Sequence, residues 1–210
     1  PKALKKNVFL LSNAIDFKRF YFEKRAEPKS DIKITAVCVG SLVNKKNQAF
    51  LIPIVSYLKT KGYDCKIDIL GDGPNKAYLQ KEIESSNLSK DIILHGNVKN
   101  VEEFMRNAEF YIHAATYEPF GLVLLEAMAA GLPVVSLDGK GNRDIIEHEK
   151  NGFIFQDQNA EQFGNALIKL KENPNEYLRY VKEGHKFSSD YDIENYTNKL
   201  ISYYHEIIRD

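Results

Sequence analysis

Two glutamates, Glu118 and Glu126, stand eight positions apart in the apolar stretch YEPFGLVLLEAMAAGLPVV, which covers residues 117–135. Burying a carboxylate among leucine, alanine and methionine side chains is costly unless another group hydrogen-bonds to it. Two carboxylates that flank the start of a helix could accept hydroxyl groups from both ends of one ligand. The residues alone leave open whether Glu126 binds a ligand in this way or pairs with an internal Lys or Arg.

The same stretch carries the signals of a helix that begins at a ligand. Pro119 stands where a first helical residue would be and Gly131 where a C-terminal cap would be, so we predict a helix over about 119–130. The start of a helix offers unpaired N–H groups and a positive dipole end, which suit a diphosphate. These N–H groups would come from Phe120, Gly121 and Leu122. If every intervening residue were helical, about 12 Å would separate the two glutamates, a span comparable with a nucleotide-sugar.

The elements that must position this helix alternate along the chain. Strands are predicted at 33–39, 65–70, 92–95, 109–113, 133–137 and 152–155. Helices are predicted at about 46–61, 75–86, 100–107, 119–130, 143–148, 159–171, 174–186 and 192–208. This alternation predicts an α/β fold with right-handed βαβ units and a Rossmann-like, doubly wound parallel sheet. Ligands of such sheets bind at the carboxyl ends of the strands.

We expect one domain over residues 31–187, preceded by a basic leader at 1–30 and followed by a C-terminal helix at 188–210. The leader holds eight Lys/Arg against three acids, a net charge of +5, interleaved with aromatic residues. Such a segment is compatible with a membrane surface or an acidic partner. We favour the interpretation that its aromatic side chains pack on the fold.

Composition excludes several other classes of protein. Lys+Arg and Asp+Glu both number 29, which argues against a nucleic-acid-binding protein. No apolar run reaches the roughly 18 residues of a membrane span. The five histidines show no metal-ligand spacing, so we predict neither a metal nor a cofactor. Cys38 and Cys65 lie in predicted strands and suit a reducing, cytoplasmic compartment.

Two glycine pairs fail as dinucleotide-binding fingerprints. The G-x-G-x-x-G pattern that starts at Gly71 would need glycine where the chain has Lys76, and the pattern that starts at Gly139 fails at Asp144. A NAD-dependent or phosphate-dependent Rossmann enzyme, or a signalling receiver domain, is therefore disfavoured.

The glutamate spacing resembles the E-x7-E motif of retaining GT-B glycosyltransferases, in particular glycosyltransferase family 4 ("group 1"). NAIDFKRF (13–20) resembles the family's N-G-[IV]-D-x-x-x-F, and VGSLVNKKN (39–47) resembles V-G-R-L-x-x-x-K-G. Three further segments follow in family order: ILGDGP (69–74), ILHGNV (93–98) and NGFIF (151–155). The chain is thus identified as similar to the C-terminal, donor-binding half of a GT-B fold.

The resemblance implies a role for each matching position. Glu126 would bind the ribose hydroxyls, and Glu118 would contact the donor sugar and support charge at the reacting centre. Lys46 would neutralise the diphosphate leaving group. The remaining donor contacts would come from Phe120, Gly121, Leu122, Gly40, Ser41, His95, Asn97 and Val98.

Two positions depart from the family pattern. Ser41 replaces the family Arg, and Asn47 replaces the Gly that follows the family Lys. A diphosphate leaving group normally needs two cations. Either Lys45 or Arg143 substitutes, or the leaving group is less well stabilised. Arg143 could instead form a surface ion pair with Asp144 or Glu147.

By resemblance, the reaction would move a sugar from a nucleoside-diphosphate donor, with UDP favoured, to an acceptor hydroxyl, with retention of configuration and without a metal. The acceptor site and a catalytic His would belong to an N-terminal domain missing from this chain, so we expect the chain alone to bind donor but turn over poorly. Bacterial polysaccharide or glycolipid synthesis, in the cytoplasm or peripherally at the inner membrane face, is the expected setting. The alternative is a non-catalytic module that binds a nucleotide-sugar.

Overall fold

In the computed structural model, which describes residues 8–23 and 27–209, six parallel strands form one sheet. The strands are β1 (Lys33–Val39), β2 (Asp64–Leu70), β3 (Ile92–Gly96), β4 (Phe110–His113), β5 (Val134–Leu137) and β6 (Phe153–Phe155). Their order is β3-β2-β1-β4-β5-β6. The order therefore reverses between β1 and β4, which creates a crevice at the carboxyl ends of these two strands.

Eight α-helices connect or flank the strands in the described part of the chain. They are α1 (Phe17–Phe20), α2 (Leu51–Thr60), α3 (Lys76–Ser85), α4 (Val101–Asn107), α5 (Leu122–Ala129), α6 (Ala160–Glu172), α7 (Pro174–Ser189) and α8 (Ile193–Arg209). Three short 3-10 turns occur at Asn44–Lys46, Gln48–Phe50 and Asn142–Asp144.

The sheet is buried on both faces, which explains its near-continuous apolar strands. All four residues of β4 and all four of β5 are buried. Successive side chains of β1 point to opposite faces: Ala36 and Cys38 join the core beneath α2 and α6, whereas Val37 joins the core beneath α5. The sandwich of helices, sheet and helices is the predicted α/β architecture.

The strand predictions are confirmed to within one residue at every end, and four helix predictions are wrong at an end or in their extent. The helix predicted over 174–186 continues to Ser189. The helix predicted from residue 46 begins at Leu51, so Pro53 falls in its first turn, where a missing N–H is tolerated. The helix predicted from Pro119 begins at Leu122. The helix predicted over 143–148 is only the 3-10 turn Asn142–Asp144.

The leader packs on the same core as the sheet. Ile15 and Phe20 are buried, and Arg106 places its guanidinium carbon 4.3 Å from the centre of the Phe22 ring. Backbone hydrogen bonds also join Ile15 to the segment between α7 and α8. The favoured interpretation thus holds for Phe20, which is buried, and for Phe17 and Phe22, which pack partly buried against the core, whereas Tyr21 is 40% exposed. Across residues 8–23 and 27–209, no helix combines the length and apolar content that a bilayer span requires.

Candidate active site

The loops after β1 and β4 meet at the crevice where the strand order reverses. The ammonium of Lys46, from the 3-10 turn after β1, forms a short ion pair with Oε2 of Glu118, from the loop after β4. Both side chains are largely buried, with exposed fractions of 16% and 12%. Two residues that the resemblance singles out, 72 positions apart, therefore meet at one point.

Asn47 explains one departure from the family pattern. Its backbone is left-handed, with a φ of 53°, a conformation that Gly and Asn adopt more readily than other residues. Its side-chain amide donates to the carbonyl of Ala114 at 3.2 Å. Asn47 thus provides the turn that a glycine would provide, and it also ties the Lys46 loop to the end of β4.

A third loop, after β5, fixes the backbone of Glu118. The N–H of Glu118 donates to the carbonyl of Gly139 at 2.7 Å, and the N–H of Gly141 donates to the carbonyl of Glu118 at 3.0 Å. A Cβ atom on Gly141 would lie 2.2 Å from the carbonyl oxygen of Pro119. The Gly-Lys-Gly sequence that fails as a fingerprint therefore serves a close contact between two loops.

Sequence reasoning missed His113, which ends β4 beside Glu118. Its side chain is 2% exposed, and its Nε2 lies 3.3 Å from Oε2 of Glu118 without the angle of a hydrogen bond. Together, the His113 imidazole and the Lys46 ammonium lower the pKa of Glu118 to about 2, against the opposing effect of burial. The available signal was a histidine at the carboxyl end of a predicted strand, five residues before Glu118.

Glu126 lies on α5 and is half-buried. Its carboxylate forms no ion pair or hydrogen bond with any residue that the structure describes, and burial raises its pKa while the charge of Arg19 opposes the shift. Arg19, the nearest candidate for an internal partner, instead pairs with Glu102 at 2.8 Å. Of the two interpretations left open by the sequence, an internal ion pair is therefore wrong within the described residues.

The start of α5 lies between the two glutamates. Gly121 is the N-cap with a φ of 93°, and the first hydrogen bond of the turn runs from Leu124 N–H to its carbonyl at 2.9 Å. Within residues 8–23 and 27–209, the N–H groups of Phe120, Gly121 and Leu122 donate to no protein acceptor. They are the donors predicted from the sequence, although the helix itself begins three residues later than Pro119.

A cleft of about 210 Å³ opens at the carboxyl ends of β1 and β2. Four predicted site residues line it, namely Gly40, Ser41, Asn97 and Val98. His95 does not: its Nε2 lies 2.7 Å from Oδ1 of Asp68, and its ring packs on Phe104. A larger cavity of about 410 Å³ lies at the opposite, amino-terminal edge of the strands, far from these residues.

Neither predicted substitute for the family Arg reaches Glu118. The guanidinium of Arg143 forms a short ion pair with Asp138, so the expected partners Asp144 and Glu147 are wrong: the turn after β5 folds Arg143 back onto the end of its own strand. The ammonium of Lys45 lies 5.8 Å from the centre of the Tyr117 ring.

Among the residues described, no group of three or more His, Cys, Asp or Glu side chains could hold a metal ion. Lys46, Glu118 and His113 meet at the crevice between β1 and β4, beside the backbone N–H groups at the start of α5.

This arrangement defines an α/β protein with a Rossmann-like sheet and a charged site at the point where the strand order reverses. The family model described as "Glycosyl transferases group 1" matches residues 19–187, so the chain belongs to this family. Its fold is that of the C-terminal half of a GT-B glycosyltransferase.

The relatives and solved structures agree with this assignment. The chain is 28% identical over 165 residues to poly(glycerol-phosphate) alpha-glucosyltransferase of Bacillus subtilis, covering 78% of the chain and 24% of the relative. It is 32% identical over 165 residues to N-acetylgalactosamine-N,N'-diacetylbacillosaminyl-diphospho-undecaprenol 4-alpha-N-acetylgalactosaminyltransferase of Campylobacter jejuni, covering 78% and 44%. The crystal structure of HepE from Anabaena in complex with UDP and glucose superposes with a TM-score of 0.78 at 20% identity, covering 93% and 56%.

The chain spans between about a quarter and a half of the length of the curated relatives it matches. The family assignment therefore concerns the part of the protein that this chain covers.

Proposed function

We propose that this chain binds a nucleoside-diphosphate sugar, with UDP as the nucleotide, in the crevice between β1 and β4, as the donor-binding part of a hexosyltransferase. The observation that carries the proposal is the convergence of Lys46 and Glu118 beside a helix start with unused N–H groups. A cation and N–H donors at one point favour a phosphate, and the adjoining carboxylate favours sugar hydroxyls.

Each group has a distinct part in the proposed transfer. Lys46 and the N–H groups of residues 120–122 stabilise the charge that develops on the departing diphosphate. Glu118 accepts a hydroxyl of the donor sugar. Glu126, whose carboxylate has no partner within residues 8–23 and 27–209, accepts the ribose hydroxyls, and this hydrogen bonding compensates for its burial.

The cleft of Gly40, Ser41, Asn97 and Val98 is the proposed place of the base. The side chain of His95 is turned towards Asp68, so we assign the contact with the base to Asn97 and Val98 of the same loop rather than to the His95 imidazole. With Ser41 in place of the family Arg, Lys46 is the one side-chain cation at Glu118 among the described residues, so we assign the N–H groups at the start of α5 a larger share of the diphosphate charge than in a site with two cations.

The wider activity rests on the resemblance and on the relatives' names. We propose that the transfer retains the configuration of the sugar and needs no metal or other cofactor. We place it in bacterial polysaccharide or glycolipid synthesis, on the cytoplasmic side of the membrane. Peripheral contact with a lipid-linked acceptor is compatible with the basic leader. The acceptor site would belong to an N-terminal domain, so this chain alone would transfer poorly. We propose that helix α8 contacts this N-terminal domain, because several apolar side chains on α8 are exposed: Ile193, Ile201, Tyr204, Ile207 and Ile208.

The second candidate function is a non-catalytic module that binds a nucleotide-sugar. The observation in its favour is Ser41, together with the engagement of Arg143 by Asp138. Transfer by the two-domain protein that is abolished by Glu118→Gln would exclude this alternative. Unchanged nucleotide-sugar binding without any transfer would establish it.

Calorimetric titration of the 210-residue chain with UDP, GDP, ADP and NADH tests the proposal. We expect saturable binding of UDP and at least about tenfold weaker binding by Glu126→Ala, because a hydrogen bond to a charged group contributes about 1.5–3 kcal/mol. Glu84→Ala, at an exposed position of α3, is the matched control and should bind as the wild type does.

The outcomes separate the candidate classes. Tighter binding of NADH than of any nucleoside diphosphate would favour a dinucleotide enzyme. If neither this chain nor the two-domain protein bound a nucleoside diphosphate, the proposed function would be wrong.

A further inference from the structure

Two groups compete for the same oxygen of Glu118. Lys46 contacts Oε2, and His113 Nε2 lies 3.3 Å from that same Oε2. The other carboxylate oxygen, Oε1, has no partner within the residues that the structure describes. The buried Nε2 of His113 also has no completed hydrogen bond. A nearly buried polar nitrogen that points into the site without a partner needs an explanation.

Two neighbours of His113, Tyr111 and Glu118, bear on the position of its ring proton. Its Nδ1 faces the hydroxyl of Tyr111 at 3.4 Å, and that hydroxyl also lies 3.3 Å from the carbonyl oxygen of Val39. Burial lowers the pKa of His113, so the ring is neutral at pH 7. Because a lone pair on Nε2 would repel the carboxylate, we place the ring proton on Nε2. The single hydroxyl proton of Tyr111, which donates to the carbonyl of Val39, must then be shared with Nδ1.

The proposed function creates a conflict over Lys46. In the empty site its ammonium is held by Glu118, yet a bound diphosphate needs the same ammonium. When Lys46 turns to the diphosphate, Glu118 becomes a largely buried carboxylate without its cation, which is unfavourable unless another donor replaces it. His113 Nε2 already lies within 3.3 Å of the oxygen that would lose its partner.

We propose that His113 is a positioning residue that replaces Lys46 as the partner of Glu118 when a diphosphate binds. The neutral imidazole then donates from Nε2 to Oε2 and directs the free Oε1 towards the donor sugar. The inference rests on the proposed function and adds to it a residue and an exchange of partners that involves no covalent change.

A double-mutant cycle on UDP affinity tests the exchange. His113→Phe keeps a ring of similar shape but removes the donor, so we expect UDP to bind about tenfold more weakly, the effect of one hydrogen bond to a charged group. His113→Gln restores an N–H donor at similar reach and should bind within about threefold of the wild type. In the Glu118→Gln background, where no carboxylate needs a partner, His113→Phe should have no further effect.

A purely structural role of His113 gives a different result. It would make His113→Phe weaken UDP binding equally in the Glu118 and Glu118→Gln backgrounds, and that result would overturn the inference, as would unchanged affinity in His113→Phe. Circular dichroism and unfolding midpoints confirm that each variant is folded.

Nitrogen-15 NMR of the imidazole groups supplies a test on the wild-type chain, with His113→Gln used for assignment. We expect the neutral, Nε2-protonated tautomer at pH 7 both before and after addition of UDP. An imidazolium ion or the Nδ1-protonated tautomer would contradict the inference. A wild-type protein that binds no UDP, with or without its N-terminal domain, would overturn the proposed function and this inference with it. If the wild type binds UDP but the effects of His113→Phe and Glu118→Gln on affinity are additive, only this inference would be overturned.

Discussion

Glu126 and Glu118 should affect stability in opposite directions when their charge is removed, although they lie on one loop and helix. Burial raises the pKa of Glu126 against the weaker effect of the Arg19 charge, whereas His113 and Lys46 lower the pKa of Glu118 to about 2. Glu126→Gln should therefore stabilise the fold at neutral pH while it weakens nucleotide binding. Glu118→Gln should destabilise the fold. This combination of higher stability and weaker binding is expected when a residue serves ligand binding at the expense of stability.

The size of each effect follows from burial and pairing. An unsatisfied buried group costs about 1–3 kcal/mol, and the half-exposed Glu126 should lie near about 1 kcal/mol, which is about 2–4 °C in unfolding midpoint for a chain of this size. For Glu118, a pKa of about 2 against an ordinary 4.5 corresponds to at most about 3 kcal/mol. Solvent screening and the desolvation of Lys46 reduce the expected loss to about 1–2 kcal/mol.

The two effects also differ in their dependence on pH. A raised pKa makes the charged form of Glu126 unfavourable above that pKa, so the advantage of Glu126→Gln should be present at pH 7–8 and fade as the wild-type carboxylate is protonated at acidic pH. A lowered pKa makes Glu118 stabilising above its unfolded-state value, and this contribution is lost as the pH falls from about 5 towards 2.

Thermal unfolding of both variants between pH 8 and pH 3, followed by circular dichroism, measures these differences. Glu84→Gln on the exposed face of α3 is the control for loss of a surface charge. A Glu126→Gln variant that is less stable than the wild type at pH 7 would contradict this prediction, because it would show that Glu126 has a stabilising partner in the folded protein.

Two further predictions concern the loops and the far edge of the sheet. Gly141→Ala should lower the free energy of unfolding by about 2–4 kcal/mol and weaken UDP binding, because the new Cβ would lie 2.2 Å from the Pro119 carbonyl oxygen and displace Glu118. Denaturant unfolding measures the first effect and calorimetry the second. Unchanged UDP affinity would show that this loop does not position Glu118. Lys171, whose side chain is 2% exposed, pairs with Glu109 at 2.7 Å and Asp31 at 3.0 Å. Lys171→Met should lower the free energy of unfolding by about 1–2 kcal/mol but leave UDP affinity unchanged. A loss of UDP affinity without a loss of stability would show that this ion-pair cluster takes part in the site between β1 and β4.

The strands could be predicted closely because their signal is local. Each is a short run of β-branched and apolar residues bounded by turn residues, and the predicted and observed ends differ by at most one residue. The start of α5 was harder. Pro119 is compatible with a first helical residue, but Glu118 forms a bridge with the loop around Lys140, and this tertiary contact delays the helix until Leu122.

The sequence also contained most of the candidate site. Glu118, Glu126 and Lys46 could be predicted as site residues from a family resemblance, because these residue types stand at fixed positions within recognisable segments. His113 was not predicted, because its position at the end of a strand, five residues before Glu118, is a weak signal that most such histidines share. Only its distance from Glu118 gives it a meaning.

Sequence alone determined the order of the elements, the parallel class of the sheet and the identity of the charged residues, because periodicity and turn chemistry act over a few residues. Tertiary structure decided which charges meet. It placed Lys46 and His113 at one oxygen of Glu118, paired Arg143 with Asp138, and left Glu126 without an ion-pair partner among the residues that the structure describes. These outcomes depend on which loops the sheet order brings together between β1 and β4, and an ion pair between residues 72 positions apart leaves no trace in the local pattern of either one.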